Sequence, residues 1–375
     1  MRIGLLIYGR LETLSGGYLY DRQLVELLQR HGDEVEIISL KPSSYGRHLI
    51  HNLDGALFSH LRDTPYDLLL QDELNHPSLF WLNWQLRPFI HYPIVSIVHH
   101  LRSDERHSPW LLPAYRAIEQ RYLASVDAVI ANSRTTLHRV EALLPGQPPA
   151  MAQRPAMVAY PGGDRLLPDV SQHTIVSRAQ KPGPLRILFV GNLIRRKGLH
   201  TLLAALTYLP PRSWLLDIVG DPTVDPTYVQ RHVRPAIRQL NQGQITQHGA
   251  VSNWTLAALY NQSHVLVLPS EYEGFGIVYI EAMGFGLPVI GSTAGAADEI
   301  VQHGKNGFLL PPNNVLALAK QLFLLNEDRR LLLRLGLAAQ KRYQTHPTWD
   351  ESMTSIRLFL QEVAAHNHAF QQTNK

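Results

Sequence analysis

The stretch PSEYEGFGIVYIEAMGFGLPVIGS (269–292) decides how the rest of the chain is read. Two glutamates, Glu273 and Glu281, stand eight residues apart, with glycines between and after them. Interior helices seldom carry carboxylates beside Gly-Phe-Gly, because unpaired charge is costly to bury and glycine weakens a helix. The overlapping run HVLVLPS (264–270) has the unbroken apolar character of a buried parallel strand, and GIVYIEAMGFG (276–286) reads as the helix after it. Glu273 then falls in a strand-to-helix loop and Glu281 about two turns into the helix. Gly274, Phe275 and Gly276 put backbone amides at the helix start, where the dipole and unsatisfied donors favour an anion. Amides for a phosphate and carboxylates for vicinal hydroxyls together suit a sugar nucleotide. The dinucleotide fingerprint fails: in GFGIVY (274–279) and GFGLPV (284–289) the third glycine of G-x-G-x-x-G is replaced by Tyr279 and Val289.

Outward from this stretch the chain alternates strands and helices. RIGLLIY (2–8), a helical pattern over 18–32 and EVEIISL (34–40) form a βαβ unit, which requires a parallel sheet with helices on its faces. Further strands are expected at 66–71, 93–99 and 127–133. The stretch 161–185 is rich in Pro, Gly and polar residues and breaks the rhythm. A second alternation follows, with strands at 185–191, 214–220, 244–249, 264–270 and 287–292. The expected division is a first domain over 1–170, a linker over 171–184 and a second domain over 185–348. A last helical segment, 349–375, would cross back to the first domain. Two such halves put ligands at strand C-termini, in a cleft between the domains.

Composition agrees with an α/β enzyme. With 375 residues, 45% hydrophobic and 18% charged, the chain is too long for one core and too apolar for disorder. The formal charge of +4 fits sugar nucleotides and leaves a peripheral contact with an anionic membrane open. No dense Lys/Arg tract points to nucleic acid. Cysteine is absent, which excludes disulfides and thiolate chemistry. The opening MRIGLLIYGRLE reads as a core strand rather than a signal peptide, and no run of about eighteen apolar residues suggests a span, so a cytoplasmic location is expected.

Other motifs supply charge and close backbone approach. GNLIRRKG (191–198) sets Arg195, Arg196 and Lys197 just before a helix, where cations are misplaced unless an anion joins them. SGGYLY (15–20) puts Gly16 and Gly17 between the first strand and helix, which lets an acceptor or phosphate come close to the backbone. His99 and His100 end the strand in VSIVHHLRSDERH (95–107); strand alternation sends one inward, with His99 preferred. His99, Asp104 and His107 match no metal-ligand spacing, so no metal and no cofactor are expected. Asp72 and Glu73 in LQDELNHPSLF (70–80) either meet hydroxyls or cap the next helix. Glu299 in GSTAGAADEIV (291–301) is equally divided between a hydroxyl contact and a capped turn.

Residues 269–314, with GNLIRRKGLHTLLAAL (191–206), GAVSNWTLAALYNQSHVLVLPS (249–270) and SGGYLYDRQLVELLQRHGDEVEI (15–37), resemble retaining GT-B glycosyltransferases of glycosyltransferase family 4. Glu273 and Glu281 match that family's E-x7-E motif. The resemblance covers nearly the whole chain and implies two Rossmann-like doubly wound domains facing each other across a cleft. It implies transfer of a hexose from a UDP-, GDP- or ADP-linked donor to a hydroxyl acceptor. On that resemblance Glu273 contacts the transferred sugar, Glu281 the ribose, Arg196 and Lys197 the diphosphate, and His99 the donor sugar. The loop at Ala250 and Val251 would lie beside the base. Asn192 stands where the family often has arginine, which weakens one contact. The absence of a DxD motif implies catalysis without a metal. A non-catalytic sugar-nucleotide-binding protein and another GT-B enzyme, such as an epimerase, are the alternatives.

Overall fold

Among the described residues the chain forms twelve parallel strands, six in each of two sheets. The computed structural model describes residues 1–105, 107–144, 154–240 and 244–373, with side chains up to 367. The chain divides into two units: 1–161 together with the segment from Trp349 onward, and 162–348.

In the first unit the strands are β1 (Arg2–Tyr8), β2 (Glu34–Leu40), β3 (Leu68–Asp72), β4 (Ile94–Val98), β5 (Ala128–Ala131) and β6 (Ala156–Val158). Their spatial order is β2-β1-β3-β4-β5-β6. Every residue of β3, β4 and β5 is buried, which is why their sequences are mostly apolar rather than alternating. Helix Gly16–Arg30 follows β1; Ser15 caps it by accepting a hydrogen bond from the Tyr18 amide, and Gly32 ends the run at φ +79°. Its buried face carries Leu24, Val25 and Leu28. Helix Trp349–Thr373 packs in the same unit, with Arg357 Nε 2.7 Å from Asp33 and Arg30 Nη2 3.0 Å from Asp350.

The second unit contains β7 (Leu185–Val190), β8 (Trp214–Val219), β9 (Ile245–Gly249), β10 (Val265–Val267), β11 (Val289–Ser292) and β12 (Gly307–Leu310). The order β12-β11-β10-β7-β8-β9 is the doubly wound nucleotide-binding arrangement, whose direction reverses between β7 and β10. That reversal sets the loops after β7 and β10 side by side at the carboxyl edge of the sheet. Gly198 shows how close they come: at φ +72°, a Cβ there would lie 2.1 Å from the Pro269 carbonyl oxygen. Only glycine fits.

Two features differ from the sequence expectation. The stretch 171–184 contains a helix, Gln172–Gln180, capped by Ser171 and buried through Ile175 and Ala179 within the second unit. Its Gly- and Pro-rich flanks hid it. The short strands β6 and β12 were also missed, because three or four residues between turn formers carry too little periodicity.

Candidate functional site

In the second unit, the loop after β7 turns through Arg195–Lys197 and enters helix Leu199–Leu206. The loop after β10 runs through Ser270–Gly276 into helix Ile277–Gly284. Lys197 Nζ donates to both oxygens of Glu273, at 2.8 Å each. Ser270 Oγ donates to Glu273 Oε2 at 3.0 Å. Burial pushes the Glu273 carboxyl up, but Lys197, Arg196 and Ser270 outweigh it and hold the group below its usual range. Burial also lowers the Lys197 ammonium, and Glu273 recovers only part of that loss. The loops are clamped by backbone as well: the Glu271 amide donates to the Arg196 carbonyl at 2.7 Å, and Arg196 Nη1 donates to the Tyr272 carbonyl at 2.9 Å. Arg195 is exposed and lies 3.7 Å from Glu271.

Glu273 is fixed from a third side by the loop after β11. Its amide donates to the Ala294 carbonyl at 3.2 Å, and its carbonyl accepts from the Ala296 amide at 2.9 Å. Gly295 permits this crossing, since a Cβ there would sit 2.0 Å from the Glu273 oxygen. Gly276, at φ +93°, begins the helix with the Tyr279 ring where a side chain would go. Phe275 is buried, its ring stacked on His346 with centroids 5.8 Å apart.

Glu281 is the fifth residue of helix Ile277–Gly284, little more than one turn in rather than two. It is fully buried. Arg165 Nε and Nη2 both lie 2.8 Å from Glu281 Oε1, and Tyr260 donates to Oε2 at a long 3.4 Å. Burial pushes this carboxyl up, with Arg165 and Tyr260 offsetting part of the rise. Arg165 also donates to Asn253 Oδ1 at 3.0 Å, which ties Glu281 to the β9 loop carrying half-buried Val251. Glu273 and Glu281 therefore belong to two different polar groups.

In the first unit, His99 lies directly beyond β4 and is buried. The first turn of helix Gly16–Arg30 lies on its ring: a Cβ on Gly17 would be 3.1 Å from His99 Cδ2. His99 Nε2 is 3.4 Å from Asp21 Oδ1, and the Tyr20 ring meets it edge-on at 5.2 Å. Burial lowers the imidazole, yet Asp21, with Asp72 and Glu73, outweighs it and leaves it raised. Asp72 caps the next turn by accepting from the Leu74 amide at 3.0 Å. Burial pushes Asp72 to about 7 and Glu73 to about 8. Gly16, Gly17 and His99 are thus brought together, as are Lys197 and Glu273.

Sequence reading missed Asp21, Arg165, Ser270 and Tyr260. Asp21 carried a signal, since it shares the i, i+3, i+4, i+7 stripe with Leu24, Val25 and Leu28. Arg165 had none, lying in a polar stretch whose partner Glu281 is far along the chain. Among the described residues, no helix is long and apolar enough to cross a membrane.

The fold is shared with solved structures. Sucrose-phosphate synthase from Thermosynechococcus elongatus superposes with a TM-score of 0.79 at 24% identity, covering 97% of this chain and 99% of that one. HepE of Anabaena, solved in complex with UDP-glucose, gives 0.72 at 22% identity over 98% of this chain and 100% of its own. Glycogen synthase of Mycobacterium tuberculosis is 27% identical over 287 residues, 75% of this chain. The chain spans 64% of the length of that relative. The fold is therefore that of GT-B glycosyltransferases, two doubly wound α/β units. Residues 172–342 match the family described as glycosyl transferases group 1.

Proposed function

We propose that the protein is a retaining glycosyltransferase of family 4 that moves a hexose from a nucleoside diphosphate sugar to a hydroxyl acceptor without a metal at the diphosphate. The observation that carries this reading is the Lys197–Glu273 pair at the reversal point of the second sheet, with Arg196 beside it. A cation, a carboxylate and a helix start converge there, the set needed to hold a diphosphate and a sugar hydroxyl. Arg196 and Lys197 take the charge that develops on the leaving diphosphate. Gly274, Phe275 and Gly276 form the helix start facing the same anion. Glu273 serves the transferred sugar. Glu281 serves the ribose through Oε2, whose Tyr260 contact is long, and the Val251 loop adjoins the base. HepE, which shares the fold, was solved with UDP-glucose; that donor is the first to test.

Steady-state kinetics on two variants tests the assignment. A ribose contact equal in ground and transition states affects binding alone, so Glu281→Gln raises the donor KM. A contact on the reacting sugar strengthens as charge grows at the anomeric carbon, so Glu273→Gln lowers kcat by roughly 10²-fold if it supplies about 3 kcal/mol. Identical profiles for the two variants refute the division. Absence of turnover with every nucleotide sugar, despite tight nucleoside diphosphate binding, would favour a binding protein instead.

A further inference from the structure

The first unit carries a second cluster of titratable side chains that the proposed transfer reaction does not use. β3 ends at Asp72, and the helical turns after it set Glu73 and His76 three residues apart, on one side. Helix Leu112–Ser125 brings Glu119 to them. One donor atom from each of Glu73, His76 and Glu119 lies within 4.8 Å of the others, and all three side chains are buried. His76 Nδ1 is 3.0 Å from Glu73 Oε1, yet neither Glu73 oxygen receives a hydrogen bond. A carboxyl group only 1% exposed without a hydrogen-bond donor is costly unless something else meets its lone pairs.

The surroundings hold the other two groups in place. The Ser103 amide donates to both Glu119 oxygens, at 3.1 and 3.3 Å. His76 Nε2 lies 3.0 Å from the Tyr45 hydroxyl, which fixes the ring through the nitrogen remote from Glu73. Arg102, the nearby cation, sits over the Tyr45 and Tyr115 rings at 5.6 and 5.5 Å and pairs with Glu105 at 3.6 Å.

We propose that Glu73, His76 and Glu119 form a binding site for a divalent transition-metal ion of the zinc class. Two carboxylates and one imidazole are its donors, so magnesium and calcium, which favour all-oxygen sets, are poor matches, and copper(I), which favours sulfur, is poorer. In the structure His76 Nδ1–H donates to the Glu73 backbone carbonyl at 3.0 Å and Nε2 accepts from Tyr45; metal binding at Nδ1 would displace that proton, leaving Nε2–H to donate to Tyr45 as the orienting contact. The Ser103 amide performs the same task for Glu119. Three protein ligands leave a coordination position for water. The site lies wholly in the first unit and does not depend on the reaction assigned above.

The test uses the full chain, stripped with a chelator and titrated with Zn²⁺ against a chromophoric competitor. One tight equivalent is expected in the wild type. It should weaken by more than about 10-fold in both Glu73→Gln and Glu119→Gln, while zinc held by surface histidines persists in all three proteins. One equivalent of zinc should raise the wild-type Tm by several degrees and leave the variants unmoved. Equal tight uptake by wild type and by a variant with native circular dichroism overturns the proposal. Co²⁺ added to the wild type is a readout that needs no variant. The visible absorption of a low-coordinate nitrogen and oxygen site supports the proposal, and only the weak spectrum of the hydrated ion defeats it.

Discussion

Replacing Lys197 with methionine tests the pair on which the functional reading rests. The substitution keeps the buried stem and removes the ammonium that donates to both Glu273 oxygens at 2.8 Å. Both side chains are mostly buried, at 16% and 10% exposure, so solvent screens the pair weakly. Glu273 would keep the Ser270 hydroxyl and lose its main counter-charge. Breaking a buried pair from one side costs about 3–5 kcal/mol, and the adjacent Arg196 places this case near 3 kcal/mol. For a unit of this size that is a fall in Tm of roughly 6–12 °C. The double variant Lys197→Met/Glu273→Gln removes the orphaned charge and should lose only about 1 kcal/mol, a coupling of about 2 kcal/mol or more. The pH dependence has a definite sign. In the wild type Glu273 is held below its usual range, so its stabilisation is present above that range and lost as pH falls through the depressed pKa. Without Lys197, burial raises the group, so the deficit is full at neutral pH and shrinks as acid protonates it. Urea denaturation of the wild type, both single variants and the double variant at neutral and mildly acidic pH measures all of this. A double variant as unstable as the sum of the two singles, or a deficit that grows in acid, refutes the reasoning.

If, as proposed, Arg196 and Lys197 meet the diphosphate, nucleoside diphosphates should bind far more tightly than the matching nucleosides; equal affinities by calorimetry contradict this. Arg165→Met should destabilise the second unit by about 3 kcal/mol, since it strands the fully buried Glu281; thermal melts of this variant and of Arg165→Met/Glu281→Gln separate charge burial from lost packing. Gly198→Ala should lower stability by at least about 1–3 kcal/mol, because the left-handed backbone is strained and the new methyl meets the Pro269 carbonyl. On the proposed reading, in which cations of the chain neutralise the diphosphate, transfer by chelator-treated protein, assayed well below its Tm, should change less than about two-fold when manganese is added back; strict dependence on manganese contradicts that.

The sequence by itself determined the class of fold. Parallel strands covered on both faces are predominantly apolar, and runs such as LRILFV and LLLQD carry most of that signal locally, so β1, β3 and β7 were placed within a residue or two. The Lys197 and Glu273 motifs were legible for a related reason, because glycine and charge at strand ends contradict packing and call for a ligand. Helix Gln172–Gln180, with only Ile175 and Ala179 buried, offered too weak a stripe between Pro- and Gly-rich flanks. Pairing was beyond any local signal. Strand order set Lys197 against Glu273, a distant helix brought Glu119 to His76, and a turn in the Pro- and Gly-rich stretch 161–185 placed Arg165 on Glu281. Such partners are chosen by burial: a carboxylate removed from water takes whichever donor the packed elements deliver, and only the tertiary structure decides which element that is.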